Sequence, residues 1–249
     1  MVRLQIVSDL HLETMSITPT ANSFIEPAAD ILIMAGDIGR LSKYEQLYIF
    51  LRDVSTMFKA VLYVLGNHEF YKSDDEDLLT YEELLLRAEK LQSEIPNLYI
   101  LNRQSVVIDD VCIIGCTLWS QAINGVPPFI VRIHGMNTEK YNRLFYRDLS
   151  YIEHMIDYCR KRGLKLVVVT HHCPTYNVLK KRGKDKFRSL YASNLDHLLT
   201  QDKVHTWICG HNHSNFDYHT PLGSRLVSNQ RGKPKDNVTD FSLSKTIIV

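Results

Sequence analysis

No apolar run in this 249-residue chain approaches the ~20 residues a membrane-spanning helix needs, so no helical span is expected. No charged-then-apolar leader precedes the first strand-like run, and a soluble, cytoplasmic chain is expected. Charge of one sign is not in excess either. The 29 Lys and Arg against 28 Asp and Glu leave a net charge of +1, so the chain lacks the global field of a nucleic-acid sheath or a membrane-surface binder. Cysteine is sparse: five residues, at 112, 116, 159, 173 and 209, odd in number and mostly far apart. That argues against a disulfide framework and for buried, reduced thiols. The close pair Cys112 and Cys116 lies in a strand-like run and reads as core rather than as a zinc site. Repeats, low-complexity tracts and linkers are missing too, so a single domain over residues 1–249 is expected.

What the chain does have is a series of short buried-strand runs, each ending in polar residues. Arg3 to Val7, Ile31 to Ala35, Ala60 to Leu65, Leu164 to Val169 and Val204 to Cys209 are rich in Val, Ile and Leu without strict alternation. Such runs suit strands covered on both faces. A helix with Ser42 as its N-cap fits Tyr44 to Phe58, and another fits 74–94, opened by Asp74, Asp75, Glu76 and Asp77 and closed by Pro96. A third fits 138–162, and 194–201 reads as a short one. Ser105–Ile108 and Val111–Gly115 read as a hairpin, 119–137 as a long irregular loop, and the tail from Gly223 as two or three more strands. Strand, helix, strand with this composition argues for parallel pairing in an α/β fold.

One event recurs five times: an apolar strand ends and metal-type ligands follow at once. The motifs are Asp9-x-His11, Gly36-Asp37, Gly66-Asn67-His68, His171-His172 and Gly210-His211-x-His213, and six of the eleven histidines lie in them. Strand ends of one sheet share an edge, where α/β proteins place their chemistry, so the five motifs are expected in one cleft. Taken singly, each has a plainer reading as a turn or a strand-end cap; their joint recurrence is the signal. Imidazoles with carboxylates and one amide oxygen suit Mn²⁺, Fe²⁺ or Zn²⁺. Seven such ligands exceed one tetrahedral site but suit two ions sharing a carboxylate. Two ions would clamp the attacking and leaving oxygens of an in-line displacement at phosphorus and make hydroxide available near neutral pH. The remaining histidine would protonate the leaving oxygen.

In their order, DxH, GD, GNHE, THHxP and GHxH resemble the motif set of the calcineurin-like metallophosphoesterase superfamily, from residue 5 to about residue 213. The resemblance implies a four-layer α-β-β-α sandwich of two mixed sheets flanked by helices, with a binuclear centre at the strand carboxyl edge. It implies that Asp9, His11, Asp37 and His213 hold one divalent ion and Asp37, Asn67, His171 and His211 the other, manganese by preference, with His68 as proton donor. His171 is preferred to His172 because it comes first after its strand. Protein serine/threonine phosphatases of the superfamily carry GDxxDRG, whereas here Asp37 is followed by Ile38-Gly39-Arg40-Leu41, and they lack the paired GHxH histidines. A small phosphodiesterase acting on a nucleotide-type or other small anionic ester is therefore the leading expectation. A phosphomonoesterase, a nuclease and a non-catalytic interaction module are the alternatives, with no obligate protein partner evident.

Further substrate contacts are expected from His172, Arg40, Lys180, Lys181 and Arg182. The last three open a basic run that continues through Lys184, Lys186 and Arg188, with Phe187 and Tyr191 nearby. Cations there would meet phosphate, though a solvated loop explains such a run equally simply. Arg231, in Asn229-x-Arg231-Gly232, is a weaker candidate by resemblance. Glu69 reads either as a partner of the site or as an exposed acid, and Trp119 either as a shaper of substrate choice or as core.

Overall fold

The computed structural model describes residues 1–179 and 186–249. Lys180, Lys181, Arg182 and Lys184 of the basic run lie outside the described residues. The chain runs β1 (Arg3–Val7), β2 (Ile31–Ala35), α1 (Tyr44–Ser55), β3 (Ala60–Val64), α2 (Tyr81–Glu94) and β4 (Leu98–Ile100). It continues through β5 (Gln104–Ile108), β6 (Val111–Cys116), α3 (Thr138–Arg162), β7 (Lys165–Thr170) and β8 (Thr206–Ile208). It ends with β9 (Asp217–His219), β10 (Arg225–Val227) and β11 (Thr246–Ile248).

Two mixed sheets result. The first has the order β11-β1-β2-β3-β4 and is parallel except for β11; the second has the order β5-β6-β7-β8-β10-β9, with antiparallel pairs at its two ends. Between them lies an apolar layer built from alternate residues, including Ile6, Ile33, Leu62, Ile113, Val167 and Ile208. The residues between these point outward beneath the helices: Val7, Met34 and Tyr63 on the first sheet and Ile114 and Val168 on the second. Hence β2, β3, β6 and β7 are apolar on both faces, which is why their runs show no alternation, while β1 turns Gln5 outward to donate to the Glu26 and Leu243 carbonyls. Helices α1 and α2 cover the first sheet and α3 covers the second, giving an α-β-β-α sandwich.

Register brings the strand ends level. Val7 stands opposite Met34 and Met34 opposite Tyr63, while Val169 stands opposite Ile208 and Ile208 opposite Val227. The two sheets meet at this same edge, where Ser8 donates to the Asn229 carbonyl and accepts from the Arg231 amide.

Several local expectations are corrected. Ser42 does not cap α1: it lies in a short 3-10 turn, Leu41–Lys43, and its hydroxyl bonds that of Ser73. Helix α2 begins at residue 81, not 74, because the Asp74 carboxylate accepts the amides of Glu76 and Asp77 and bends the chain first. Thr80 and Glu83 then form a reciprocal capping box. The stretch 194–201 contains only a single 3-10 turn, Asp196–Leu198. Cys112 and Cys116 are buried within β6, and Trp119 is buried against Phe70 and Tyr141. All three are core residues.

A buried ion pair fixes the start of the 119–137 loop to α3. Asp148 accepts from the Arg103 guanidinium at 2.7 Å and, with its other oxygen, from the Leu118 amide at 2.9 Å. Asp148→Ala leaves both donors without their acceptor, and breaking such a pair costs about 3–5 kcal/mol. Arg103 keeps a fifth of its side-chain surface in water, so the lower end, about 3 kcal/mol, is expected. Urea denaturation at an unchanged slope measures it; a change below about 1 kcal/mol, the scale of an exposed pair, would contradict the assignment.

Candidate metal centre

At the level edge the backbone itself is tightly folded. A Cβ on Gly66 would meet the Asp37 amide nitrogen at 2.5 Å, and one on Gly210 would meet Asp9 Oδ2 at 2.5 Å. These glycines let neighbouring strand ends press directly on the acidic side chains. Gly66→Ala therefore collides with backbone, which no rotamer change relieves, and is expected to cost about 3 kcal/mol. A variant that kept the wild-type melting temperature and wild-type metal uptake would refute this packing. Among the described residues, five of the nine non-glycine positions with positive φ are Asp9, His11, Asp37, His211 and His213. Left-handed backbone of this kind persists where the surroundings impose it, and here it aims the side chains inward.

The side chains form three clusters, two of which share Asp37. Asp9, His11, Asp37 and His213 offer ligand atoms within 4.8 Å of one another, and so do Asp37, His171 and His211; the third is His11, Glu13 and His68. His11 Nε2 is 2.9 Å from His213 Nε2, and His213 Nε2 is 3.3 Å from Asp9 Oδ1. In the second cluster His171 Nε2 lies 2.9 Å from Asn67 Oδ1, 3.2 Å from His211 Nδ1 and 3.3 Å from Asp37 Oδ1. His172 points elsewhere, with Nδ1 3.4 Å from the Thr117 carbonyl and Nε2 3.5 Å from the Tyr141 hydroxyl.

Electrostatics separates the adjacent histidines. Burial disfavours a charged His171, but Asp37 and Asp9 outweigh it and push its pKa up to about 10. Burial and the neighbouring His171 instead push His172 down to about 3. Burial also opposes ionisation of Asp37, yet the imidazoles of His171, His68 and His11 hold its carboxyl well below the usual range. The centre thus gathers ionised carboxylates and close-set imidazole nitrogens, with room for only one proton between each facing pair. Nitrogen and oxygen donors in this arrangement, without a thiolate, fit two divalent cations.

Three carboxylates hold the clusters in place. Glu13 Oε1 accepts from Nδ1 of His11 at 2.9 Å and from Nδ1 of His68 at 2.8 Å, which leaves both Nε2 atoms facing the site. Asp236 does the same for His213 Nδ1 at 2.6 Å. Glu69, fully buried, accepts the amides of Asp37, Ile38 and Gly66 and the Tyr63 hydroxyl, so it knots the ends of β2 and β3 together. Burial and the nearby Asp37 push its pKa up to about 8. Nothing in the sequence marked Glu13 or Asp236, because neither follows a strand.

A cavity of about 410 Å³ opens over the centre. Its floor includes Asp37, Asn67, His68, His172, His211 and His213. The rest of the lining combines carbon-rich side chains, among them Ile130, Val131, Leu179 and Leu190, with the cations Arg188, Lys233 and Lys235. Arg40 and Arg231 are not part of it. The Arg40 guanidinium donates to the Ser73 carbonyl, while Arg231 donates to the Leu10 carbonyl and lies over the Phe24 ring. Lys233 brings its Nζ to 3.1 Å from His68 Nε2.

Two helix-flanked mixed sheets with a histidine–aspartate cluster at one edge define the sandwich class of metal-dependent phosphoesterases. The model of the calcineurin-like phosphoesterase family matches residues 2–215, and this chain belongs to that family. A protein of Acanthamoeba polyphaga mimivirus described as uncharacterized protein L509 is 26% identical over 92% of this chain and 90% of its own length. Among solved structures, a phosphopantetheinyl hydrolase from Mycobacterium tuberculosis is similar with a TM-score of 0.67 at 16% identity, covering 98% of this chain and 95% of that one. A dimetal phosphatase from Danio rerio is similar with a TM-score of 0.56 at 11% identity, covering 91% and 86%. Family and cluster together support a phosphoester hydrolase with a divalent dimetal centre. No helix among the described residues is long and apolar enough to cross a membrane.

Proposed function

We propose that the chain is a phosphodiesterase that uses two divalent ions, manganese by preference, and acts on a small organic ester. The observation that carries this reading is the sharing of Asp37 between two donor clusters at the floor of one cavity. When bound, the ions supply a Lewis-acid clamp on phosphoryl oxygens and a source of hydroxide near neutral pH. Asp9, His11, Asp37 and His213 would hold one, and Asp37, Asn67, His171 and His211 the other. His68, its Nδ1 proton held by Glu13, presents Nε2 to the cavity; Lys233 donates to that atom, so His68 first takes up a second proton there, as imidazolium, and would then pass it to the departing alcohol oxygen. Lys233, beside the same atom, steadies the negative charge that develops there.

Preference for a diester rests on the carbon-rich part of the lining. Ile130, Val131, Leu179 and Leu190 match an organic arm and offer no side-chain donor to the extra free oxygen of a monoester. The cations in the same lining favour the second reading, a phosphomonoesterase of nucleotides or small phosphates. Hydrolysis of bis(p-nitrophenyl) phosphate and p-nitrophenyl phosphate, side by side with Mn²⁺, decides between them. The diester is expected to show the higher kcat/KM, by about tenfold or more. Faster monoester turnover would establish the second reading instead. We further propose that the domain extends over residues 1–249, since β11 pairs with β1 in the first sheet.

A further inference from the structure

We infer that the substrate of this site is a phosphodiester carrying both an aromatic or aliphatic arm and a second anionic group. The inference rests on the phosphodiesterase reading and specifies it. The cavity, at about 410 Å³, is of small-molecule size and fits one organic group of nucleoside dimensions beside a phosphoryl group rather than a duplex. Its lining is of two chemical kinds.

Ile130, Val131, Leu179 and Leu190 bring carbon to the lining, and Tyr71 and Tyr191 add rings. A phosphate without an organic arm leaves this surface wet, whereas an apolar arm covers it. Phe129, directly before Ile130, is 75% exposed and packs edge-on against the ring of Phe187, so apolar surface continues beyond the lining itself.

Charge gives the second requirement. A simple diester bears one negative charge, which two divalent ions at the floor already exceed. Yet Arg188, Lys233 and Lys235 line the same cavity, and none of them pairs with a carboxylate among the described residues. The Arg188 guanidinium is steadied by the Tyr176 carbonyl and ring and is left without an anion. Lys235 makes no hydrogen bond or ion pair among the described residues. Asp236, which lines the same cavity, is engaged by His213 and by the Lys233 amide. Lys233 sits beside His68 at the phosphoryl end, so Lys235 and Arg188 are left for an anion elsewhere on the substrate.

Four p-nitrophenyl esters with one leaving group test this. They are the methyl ester, the phenyl ester, the thymidine 5′-ester, and the thymidine 5′-ester bearing a 3′-phosphate. With the manganese-loaded protein, KM is expected to fall about tenfold from methyl to phenyl or thymidine, and about tenfold again when the 3′-phosphate is added. The double variant Lys235→Ala/Arg188→Ala should lose most of the second step, and Ile130→Asp most of the first. Equal KM values across the series, or a 3′-phosphate effect unchanged in the double variant, would overturn the inference. Calorimetry with methylphosphonate, phenylphosphonate and 4-phosphonobenzoate reads the same preferences without turnover. If no diester is hydrolysed but the three ligands still bind in rising order, the phosphodiesterase reading fails and the double preference for carbon and a second anion stands. If they bind equally, that preference fails as well.

Discussion

Asp37→Asn should remove phosphoester hydrolysis, by about a thousandfold or more, and strip the protein of both metal ions rather than one. Asparagine is the informative replacement. Asp37 has φ at 55°, a left-handed conformation that asparagine tolerates and alanine does not, and the amide keeps the volume of the carboxylate. The substitution therefore removes a charge without removing a shape. Both clusters draw on this one side chain: Oδ1 lies 3.3 Å from His171 Nε2, and Oδ2 lies 3.8 Å from His11 Nε2. Metal analysis after dialysis against Mn²⁺ checks the claim alongside the rate. A variant that retains two ions and more than a tenth of the activity would mean that Asp37 does not bridge.

His68→Ala should behave differently. The loss is expected in kcat, about 10²- to 10⁴-fold, with metal content unchanged, because His68 stands in neither cluster that shares Asp37. Glu13→Gln separates the two effects. Its carboxylate orients His68 and also His11, so the variant should lower both kcat and metal affinity, the latter by about 10- to 100-fold. If His68→Ala lost metal as readily as Glu13→Gln, the histidine would be a ligand and not a proton donor. Rate and metal content measured on the same samples distinguish these outcomes.

The architecture was legible because buried parallel strands leave a trace: a short, largely apolar run and then polar side chains, with a glycine between them after β2, β3 and β8. Asp9, Asp37, Asn67, His171 and His211 could be brought together on paper since each follows its strand within three residues and parallel strands share an edge. Helix starts were harder to read. The acidic run 74–77 looked like the first turn of a helix, but the Asp74 side chain took the local amides for itself, and the T-x-x-E signal at Thr80 marked the true start. β4, at three residues, was too short to register, and its place in the sheet comes from pairing with β3.

Around the centre, sequence reasoning found the residues on strand ends and missed those that approach from loops. Glu13 sits in a 3-10 turn, while Lys233 and Asp236 arrive from the far end of the chain, 165 residues from His68 in the case of Lys233. Only the folded loop reveals them. Arg40 and Arg231 were attractive because of neighbouring motifs, but carbonyl oxygens claim both guanidinium groups. Proximity in sequence to a motif says little about where a long side chain points.

Crystals of the manganese-loaded protein, measured for anomalous scattering at the manganese edge, test the central claim most directly. The account predicts two peaks about 3.5–4 Å apart with the Asp37 carboxylate between them. One peak would contradict a binuclear centre. Two peaks with one at Glu13 and His68 would move the ion onto the residue here given the proton, and the mechanism would fall with it.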